Sequence, residues 1–394
     1  MSERRELHSL VVFHLAGIGG PQRSLGGAAA WLSERGSVEF IFPDRGPAAA
    51  RYAEFGHVTV AVYHALAYAR GLRARLRVLR RLVLEVRMFR RELRRRRPDL
   101  VVAVTTVLPA VLIAARLEKI PSVVYAAELY EQRWKGAPPL RLWGALLARA
   151  TAALSDGVVS CSAAVARQFP ARPSRPHAVA YPPIGREYAE GDRARGRARY
   201  GLAEEDFCLV VVGNLGRGRG QDVAIRALPL IRRHHPSARL LIVGAAHPRP
   251  ADLAYAAELR ALADSTGEAG SVVFAGPTDA MPDVYAAADV VVNPARIEES
   301  FGRVGPEALI AGRPVVASRV GAIPEAIRDG LDGLLVAPDD PAALARAACR
   351  LAADRALVAE LVANGREAVR ERFGPEQDVA AWAGVLEAVL SRRR

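Results

Sequence analysis

Two glutamates, Glu299 and Glu307, lie eight positions apart where an apolar run, a loop and a helix follow one another. The run ends at Pro294, and Pro306 stands in the first turn of the next helix, where a missing N–H costs little. The loop between them directs free backbone N–H groups and a helix N-terminus beyond the end of a strand, which suits a phosphate. The two carboxylates flank that anion site. Glu299 can accept hydrogen bonds from hydroxyl groups on one side, and Glu307 from a ribose diol on the other.

A second phosphate-binding element is the run Val-Val-Gly-Asn-Leu-Gly-Arg-Gly-Arg-Gly-Gln-Asp at 211–222. It predicts a strand, a glycine-rich loop and the start of a helix, an order that brings backbone amides close to a phosphate. Such loops are common, so this run alone is a weak signal. Arg217 and Arg219 add guanidinium groups, whose geometry matches phosphate oxygens.

These runs, with Gly321-Ala-Ile-Pro-Glu325 and Gly330-Leu-Asp-Gly-Leu-Leu-Val336, resemble the nucleotide-sugar signature of the family 4 retaining glycosyltransferases. The resemblance covers most of 206–350. It implies an α/β GT-B fold of two Rossmann-like, doubly wound parallel-sheet domains facing a cleft. It also implies transfer of a hexose-type sugar, with retention of configuration, from a UDP-, GDP- or ADP-sugar donor, the first two being our expectation. The acceptor would be a small molecule, a glycan or a lipid-linked acceptor.

The resemblance also implies residue roles. Glu299 would contact the donor hexose, Glu307 the ribose, and the backbone of 301–304 the distal phosphate, while Arg219 takes the place of a diphosphate-binding lysine. Glu299 and Arg219 are therefore the expected catalytic residues. The family's usual arginine is Asn214 here, and Arg217 is a candidate to replace its charge. The expected donor contacts are Gly19, Gly20, Asn214, Arg217, Arg219, Gly276, Pro277, Ser300, Phe301, Gly302, Arg303, Val304 and Glu307.

The N-terminal half resembles the family more loosely. Gly17-Ile-Gly-Gly-Pro-Gln-Arg-Ser24 looks like the family's glycine loop facing donor and acceptor, and a plain strand-to-helix turn is the alternative interpretation. The acceptor-side candidates are Gly17, Arg23 and Glu128. The family commonly has a histidine near the position of Ala127, so either the acceptor is bound differently here or the correspondence shifts.

Metal ligands form no recognisable pattern in the sequence: it contains no Asp-x-Asp, and no His/Cys/Asp cluster has metal spacing. We therefore expect a metal-independent enzyme without a cofactor, in which arginines and a helix dipole offset the charge of the leaving diphosphate. The resemblance implies a front-face reaction in which the leaving phosphate helps to deprotonate the acceptor. No nucleophile is assigned.

Short apolar runs separated by amphipathic stretches predict two doubly wound parallel sheets. The predicted strands of the first sheet are 8–15, 37–42, 57–63, 99–105, 121–126 and 156–161, with a last short strand ending at Tyr181, and those of the second are 206–212, 238–244, 271–275, 289–293, 314–317 and 333–336. We place an acceptor-side domain at 1–185, a nucleotide-sugar domain at 186–375 and a helix that packs back on the N-terminal domain at 376–394. The linker is predicted at 182–203.

The net charge is +13, and only Lys119 and Lys135 are lysines, a bias typical of a GC-rich bacterial genome. Thirteen arginines between Arg70 and Arg97 interleave with apolar residues every three or four positions. This basic amphipathic helix indicates either a core-docking helix or a membrane surface. We expect a cytoplasmic protein, possible peripheral contact with the inner face of a membrane through 70–97, and no nucleic-acid partner.

Three other functions stay open on the sequence alone. Two of them, a nucleotide-sugar epimerase and a glycogen-synthase-like polymerase, use the same fold, and an epimerase would consume nucleotide sugar without an acceptor. The third is a non-catalytic protein that binds anionic membranes or polyanions through the arginine-rich helix. Stabilisation by a nucleotide sugar would argue against this last function.

Overall fold

The computed structural model describes residues 6–17, 19–64, 72–130, 138–170 and 174–392, without the side chains of 72–76 and 138–145. The chain divides into two compact units. The first unit is 1–183 together with 375–394, and the second is 184–374.

Parallel strands form one sheet in each unit, as the apolar runs predicted. The first unit contains β1 (Leu7–Phe13), β2 (Gly36–Phe42), β3 (His57–Val60), β4 (Leu100–Val104), β5 (Ser122–Ala126), β6 (Gly157–Ser160) and β7 (His177–Val179), and the second contains β8 (Phe207–Val212), β9 (Ala238–Val243), β10 (Val272–Gly276), β11 (Val290–Asn293), β12 (Val315–Ser318) and β13 (Leu334–Val336). Continuous burial explains the apolar runs: every residue of β4 and β5 is buried.

The helices that cover these sheets alternate with the strands. In the first unit they are α1 (Gly20–Ser24), α2 (Gly26–Ser33), α3 (Pro47–Tyr52), α4 (Leu72–Arg96), α5 (Pro109–Leu117), α6 (Pro138–Leu154), α7 (Ala163–Ala166) and the C-terminal α16 (Pro375–Ser391), and in the second they are α8 (Arg193–Arg199), α9 (Gln221–Arg232), α10 (Pro250–Ser265), α11 (Met281–Ala287), α12 (Val304–Ile310), α13 (Ile323–Ala326), α14 (Pro341–Ala353) and α15 (Arg355–Arg372). None of these described helices is both long and apolar enough to span a membrane.

The order of the strands locates a crevice in each sheet. The first sheet has the order β3-β2-β1-β4-β5-β6-β7, and the second has the order β10-β9-β8-β11-β12-β13. In both sheets, the chain first adds strands on one side of a central strand and then adds the remaining strands on its other side. The direction reverses between β1 and β4 and between β8 and β11, and ligands of such sheets bind at the carboxyl ends of these strands. The prediction of two doubly wound domains is confirmed.

The segment that we predicted as a linker, 182–203, contains helical structure. A 3₁₀ helix (Arg186–Glu190) and α8 belong to the second unit. Both pack on α11. Gly196 allows the close approach, because a Cβ there would collide with the carbonyl oxygen of Asp283.

Ion pairs hold this segment in place. Arg195 donates two hydrogen bonds of 2.6 Å to Asp283, and Arg193 and Arg197 donate at 2.8 and 2.7 Å to Asp289. A charged run resembles a solvated linker in the sequence, since its acidic partners stand about ninety positions later. The Arg195 hydrogen bonds lower the pKa of Asp283 to about 2.

Helix α16 lies in the first unit, where it packs on α2 and β6. Trp382 is fully buried, with its ring centroid 5.4 Å from that of Tyr125. Asp378 is 1% exposed and lies against the backbone of Gly27. Burial raises the pKa of Asp378 to about 8, and the Gly27 amide and the Trp382 indole offset this only in part.

Replacing Asp378 by asparagine is expected to raise the melting temperature much more at about pH 9 than at about pH 5. The folded pKa of about 8 exceeds the ordinary 3.8, so the native state holds an extra proton between these values. Stability of the original chain therefore falls with rising pH through that window, by at most about 1.4 kcal/mol per pH unit from this group. Thermal unfolding across this pH range measures the difference.

The control is Asp283→Asn, whose carboxyl has a pKa lowered to about 2 by Arg195. The same linkage predicts that this substitution lowers the melting temperature at neutral pH, where the paired carboxylate stabilises the fold. Parallel pH profiles for Asp378→Asn and the original chain would contradict the assignment of a protonated Asp378.

Candidate functional site

Two loops meet at the crevice of the second sheet. Residues 213–220 follow β8 and residues 294–303 follow β11, the neighbouring strand. The amide of Arg296 donates to the carbonyl of Gly218 at 2.9 Å, so the two loops are joined through their backbones. Gly220 has a φ of 70°, and a Cβ there would collide with the carbonyl of Pro294, so this contact requires glycine.

Arg219 and Glu299, the two expected catalytic residues, are in direct contact across these loops. Arg219 donates a hydrogen bond from Nη1 to Oε1 of Glu299. The Glu299 side chain is 10% exposed and that of Arg219 is 41% exposed. The pair thus consists of a largely enclosed carboxylate and a guanidinium that keeps donors available to a ligand.

The backbone fixes Glu299 as well. Its carbonyl accepts from the Ala322 amide at 2.9 Å, and its Oε2 lies 3.5 Å from Nδ2 of Asn293. Gly321 has a φ of 55°, and a Cβ there would stand 2.6 Å from the Glu299 nitrogen. The loop after β12 therefore needs glycine at 321 to approach this closely.

The start of α12 presents the predicted anion-binding amides. Within the described part of the chain, the amides of Gly302, Val304 and Gly305 donate no hydrogen bond. Phe301, in the same loop as Ser300, is buried with its ring centroid 5.2 Å from that of Phe373. The aromatic contact anchors the loop, and the helix N-terminus supplies a partial positive charge.

Glu307 lies in a buried network. It is 6% exposed, and its Oε2 accepts from the Tyr285 hydroxyl at 2.7 Å while its Oε1 accepts from Nε of Arg303 at 2.9 Å. Burial, reinforced by the Glu307 carboxylate, raises the pKa of Tyr285 well above its ordinary value, so Tyr285 stays a donor. A carboxylate oxygen can accept a second hydrogen bond. A ribose contact at Glu307 would thus be shared with these protein partners.

Arg217 is directed away from Glu299. Its Nη2 donates to both carboxylate oxygens of Glu258 on α10, at 2.6 and 2.7 Å, and its side chain is 67% exposed. The carbonyl of Asn214 accepts from Nε2 of Gln221 at 3.0 Å. A role for Arg217 in replacing the charge missing at Asn214 would require it to leave or share Glu258.

A further pair at the crevice was missed by sequence reasoning. Arg296 donates two hydrogen bonds of 2.6 Å to Asp222 at the start of α9 and one of 2.6 Å to Asp339. Asp222 also accepts from the Tyr255 hydroxyl at 2.6 Å. Although burial acts to raise it, the pKa of Asp222 is held below its ordinary value by Arg296 and Tyr255. The pair ties the two loops together, and its members stand 74 positions apart.

The other predicted residues lie at the carboxyl ends of strands. Gly276 ends β10, two strands from β8, and Pro277 follows it. In the first unit, Gly17, Gly19, Gly20 and Arg23 follow β1 and are exposed. Glu128 follows β5 and accepts hydrogen bonds from the Thr106 amide and hydroxyl at 3.3 and 2.9 Å. Because β1, β4 and β5 are neighbours, the acceptor-side candidates share one edge of the first sheet.

In the described ranges, no group of three or more acidic, histidine or cysteine side chains is placed to hold a metal ion. Two ion pairs, Arg219–Glu299 and Arg296–Asp222, involve the loops at the crevice of the second sheet.

Comparisons with known proteins agree with this architecture. Residues 206–354 match the family model described as Glycosyl transferases group 1, and residues 19–185 match that of the Glycosyl transferase 4-like domain. The D-inositol 3-phosphate glycosyltransferase of Acidothermus cellulolyticus is 39% identical over 255 residues, which are 61% of this chain and 55% of that protein. The corresponding enzyme of Salinispora arenicola is 39% identical over 186 residues, 45% of this chain and 41% of that protein. The chain spans about half the length of the curated relatives it matches.

Solved structures share the fold across nearly the whole chain. Anabaena Alr3699/HepE in complex with UDP-glucose has a TM-score of 0.79 at 21% identity, covering 97% of this chain and 100% of that chain. Sucrose-phosphate synthase from Thermosynechococcus elongatus has a TM-score of 0.76 at 20% identity, covering 98% and 100%. With two Rossmann-like domains of the GT-B kind and a family model matched in each, the chain belongs to the group 1, family 4 glycosyltransferases.

Proposed function

We propose that this protein is a retaining glycosyltransferase that moves a hexose-type sugar from a UDP- or GDP-linked donor bound by the second unit. The observation that carries the proposal is the Arg219–Glu299 contact at the crevice between β8 and β11, beside the open amides of α12. The matching relatives are D-inositol 3-phosphate glycosyltransferases, which favours a phosphorylated polyol among the acceptor classes. Glycan and lipid-linked acceptors are the other classes to test.

The proposed chemistry is electrostatic. Arg219 and the N-terminus of α12 would stabilise the negative charge that develops on the departing diphosphate. Glu299, held by Arg219 and by the loop after β12, would accept hydrogen bonds from sugar hydroxyls and orient the anomeric carbon. In the front-face reaction, the leaving phosphate oxygen takes the acceptor proton as the new glycosidic bond forms on the same face.

A nucleotide screen tests the donor. In a screen of UDP, GDP and ADP with their sugars, we expect UDP or GDP to stabilise the chain by about 2.7 kcal/mol at a hundredfold excess over Kd, measured as a thermal shift. No stabilisation by any nucleotide would overturn the proposal. Donor consumed without acceptor would identify an epimerase, and growth of a glucan chain would identify a glycogen-synthase-like enzyme.

Metal independence is a separate prediction. Turnover in EDTA should equal turnover in magnesium within a small factor, because arginines and amides hold the diphosphate. Loss of turnover on chelation would overturn this prediction.

We also propose that the exposed part of α4 contacts anionic membrane lipids. Leu79, Val83 and Leu84 are 57%, 44% and 54% exposed. The same part of α4 carries exposed arginines that form no ion pair within the described ranges. They are Arg77, Arg80, Arg81, Arg87 and Arg91. Later in the helix, arginines are paired with Glu118, Glu92 and Glu39. Arg70 lies outside the described residues, as do the side chains of Arg73 and Arg75.

Vesicle binding tests this surface. Replacing Arg77, Arg80, Arg81 and Arg87 by serine should abolish co-sedimentation with anionic vesicles at low salt, since each cation contributes about 1 kcal/mol near such a surface. Donor affinity should not change. A matched control replaces four exposed arginines of the second unit by serine: Arg346, Arg350, Arg355 and Arg370. Equal loss in both variants, or equal binding to neutral vesicles, would contradict a specific α4 surface.

A further inference from the structure

A cavity of about 320 Å³ lies at the amino edge of the first sheet. Its walls come from the residues that precede β5, β6 and β7 and from the ends of α5 and α16. Gly17, Arg23 and Glu128 follow the carboxyl ends of strands in this unit, so the cavity is at the opposite edge from the acceptor-side candidates. Neither the catalytic pair nor the proposed membrane surface contributes to it.

Positive charge dominates the lining. Four cations, Arg116, Lys119, Arg175 and Arg392, face one carboxylate, Asp156. Asp156 already accepts a hydrogen bond of 2.8 Å from the Ser122 amide. In the part of the chain that the structure describes, no ion pair involves Arg116, Lys119 or Arg392. Such like charges destabilise one another unless an anion lies between them.

Two of these cations are fixed by neutral partners. Arg116 donates from Nη1 to the carbonyl of Ala153 at 3.1 Å, and Arg392 donates from Nη1 to the carbonyl of Ser174. Each contact holds a guanidinium at the cavity without neutralising it. The remaining N–H groups of an arginine that binds a carbonyl in this way can still donate to a ligand.

Lys119 stands where the backbone favours glycine. Its φ is 55°, and α5 closes there with hydrogen bonds from Lys119 to Arg116 at 3.2 Å and from Ile120 to Ala115 at 2.9 Å. Glycine is the usual residue at this position of a helix end. Lys119 is also one of only two lysines in the sequence. A cation at a helix end interacts favourably with the helix dipole. Arg97, with a φ of 49° after α4, shares the backbone conformation but does not line the cavity.

We propose that this cavity binds a phosphate-bearing small molecule, with its phosphate among Arg116, Lys119 and Arg392. The volume falls in the range of about 300–1,000 Å³ that is usual for small-ligand sites and exceeds what one phosphate fills. Ile120, Leu154 and Val389 supply apolar wall for the attached organic group. Because Arg116 lies in α5, Lys119 just after α5 and Arg392 just after α16, the ligand joins the end of the C-terminal helix to the rest of the first unit.

Titration of the full chain with inorganic phosphate and with glycerol phosphate tests the site. We expect Lys119→Gly to weaken binding at this site at least about tenfold, since it removes a charged hydrogen bond. The same substitution should raise the melting temperature of the ligand-free chain, because glycine fits the left-handed backbone. A loss of affinity in a more stable protein cannot be attributed to misfolding. Tighter binding of glycerol phosphate than of phosphate would show that the apolar wall contributes.

Two control variants complete the design. Arg97→Gly removes one cation at a similar backbone conformation and should leave phosphate binding unchanged. Arg219→Ser removes a cation from the candidate donor site and should also leave this binding in place. If Lys119→Gly binds phosphate as tightly as the original chain, if Arg97→Gly loses affinity equally, or if binding disappears only in Arg219→Ser, the proposal is wrong. Equal affinity for phosphate and glycerol phosphate would restrict the site to free phosphate and overturn the assignment of an organic ligand.

Discussion

Replacing Arg219 by alanine is expected to lower kcat about 100-fold to 1,000-fold, the usual loss when one preorganised donor is removed from a developing negative charge. The side chain reaches over Gly213, where a Cβ would stand 3.9 Å from its Cδ, and it ends on the carboxylate of Glu299. Its removal takes away a charge that the diphosphate needs most as it departs. Steady-state rates with the cognate donor and acceptor provide the measurement.

The matched control for Arg219→Ala is Arg249→Ala in the same unit. Arg249 is 68% exposed and pairs with Asp252 at 2.7 Å, so it also is an exposed arginine bound to a carboxylate. Its replacement should leave kcat within a factor of about two, because surface ion pairs contribute little. A similar fall in both variants would indicate a general electrostatic effect. Full activity in Arg219→Ala would refute the catalytic assignment.

Local patterns in the sequence were sufficient to predict the fold. Val, Ile and Leu runs such as that of β11 are buried on both faces, and a parallel sheet covered by helices provides that environment. The sequence predicted that the loops of Arg219 and Glu299 each follow a strand of the second sheet. That these two strands are neighbours, which brings the two side chains into contact, is known only from the structure.

The contacts that could not be predicted join residues that lie far apart in the sequence. Arg296 lies in the loop between Pro294 and Glu299, yet nothing local points to Asp222, 74 positions earlier, as its partner. The charged segment 186–199 has the composition of a solvated linker, and its acidic partners on and after α11 become neighbours only after folding. Glu307 was expected to face a ligand, and the hydroxyl of Tyr285 on α11 occupies one of its oxygens.

This network changes what a substitution at Glu307 should do. Glu307→Ala would leave Arg303, whose side chain is only 17% exposed, without its carboxylate, and breaking a buried pair costs about 3–5 kcal/mol of unfolding free energy. Alanine therefore cannot separate a ribose contact from support of α12. Glu307→Gln also takes the carboxylate from Arg303, but it retains the size of the side chain and an acceptor for the Tyr285 hydroxyl, so the contact between α12 and α11 is kept.

We expect Glu307→Gln to weaken nucleotide binding by about 1.5–3 kcal/mol, the range for hydrogen bonds to charged groups. Tyr285→Phe is the matched variant, because it removes the hydroxyl that binds Glu307 and leaves the carboxylate in place. Both variants should unfold at lower temperature than the original chain, since each breaks a buried hydrogen bond. Only Glu307→Gln should lose affinity. Calorimetric titration with the cognate nucleoside diphosphate separates the two effects.

A thermodynamic cycle with the nucleotide makes this test specific to the ribose. The 2′,3′-dideoxy form of the cognate nucleoside diphosphate lacks the diol, so it should bind the original chain more weakly than the ribose form. If Glu307 contacts the diol, Glu307→Gln should lose most of that preference, and the coupling energy of the cycle should be about 0.5–3 kcal/mol. If Glu307 only holds α12 to α11 through Tyr285, the two losses should add, and the preference for ribose should persist in the variant. Additive losses would thus assign Glu307 to the support of the helix and remove it from the donor contacts.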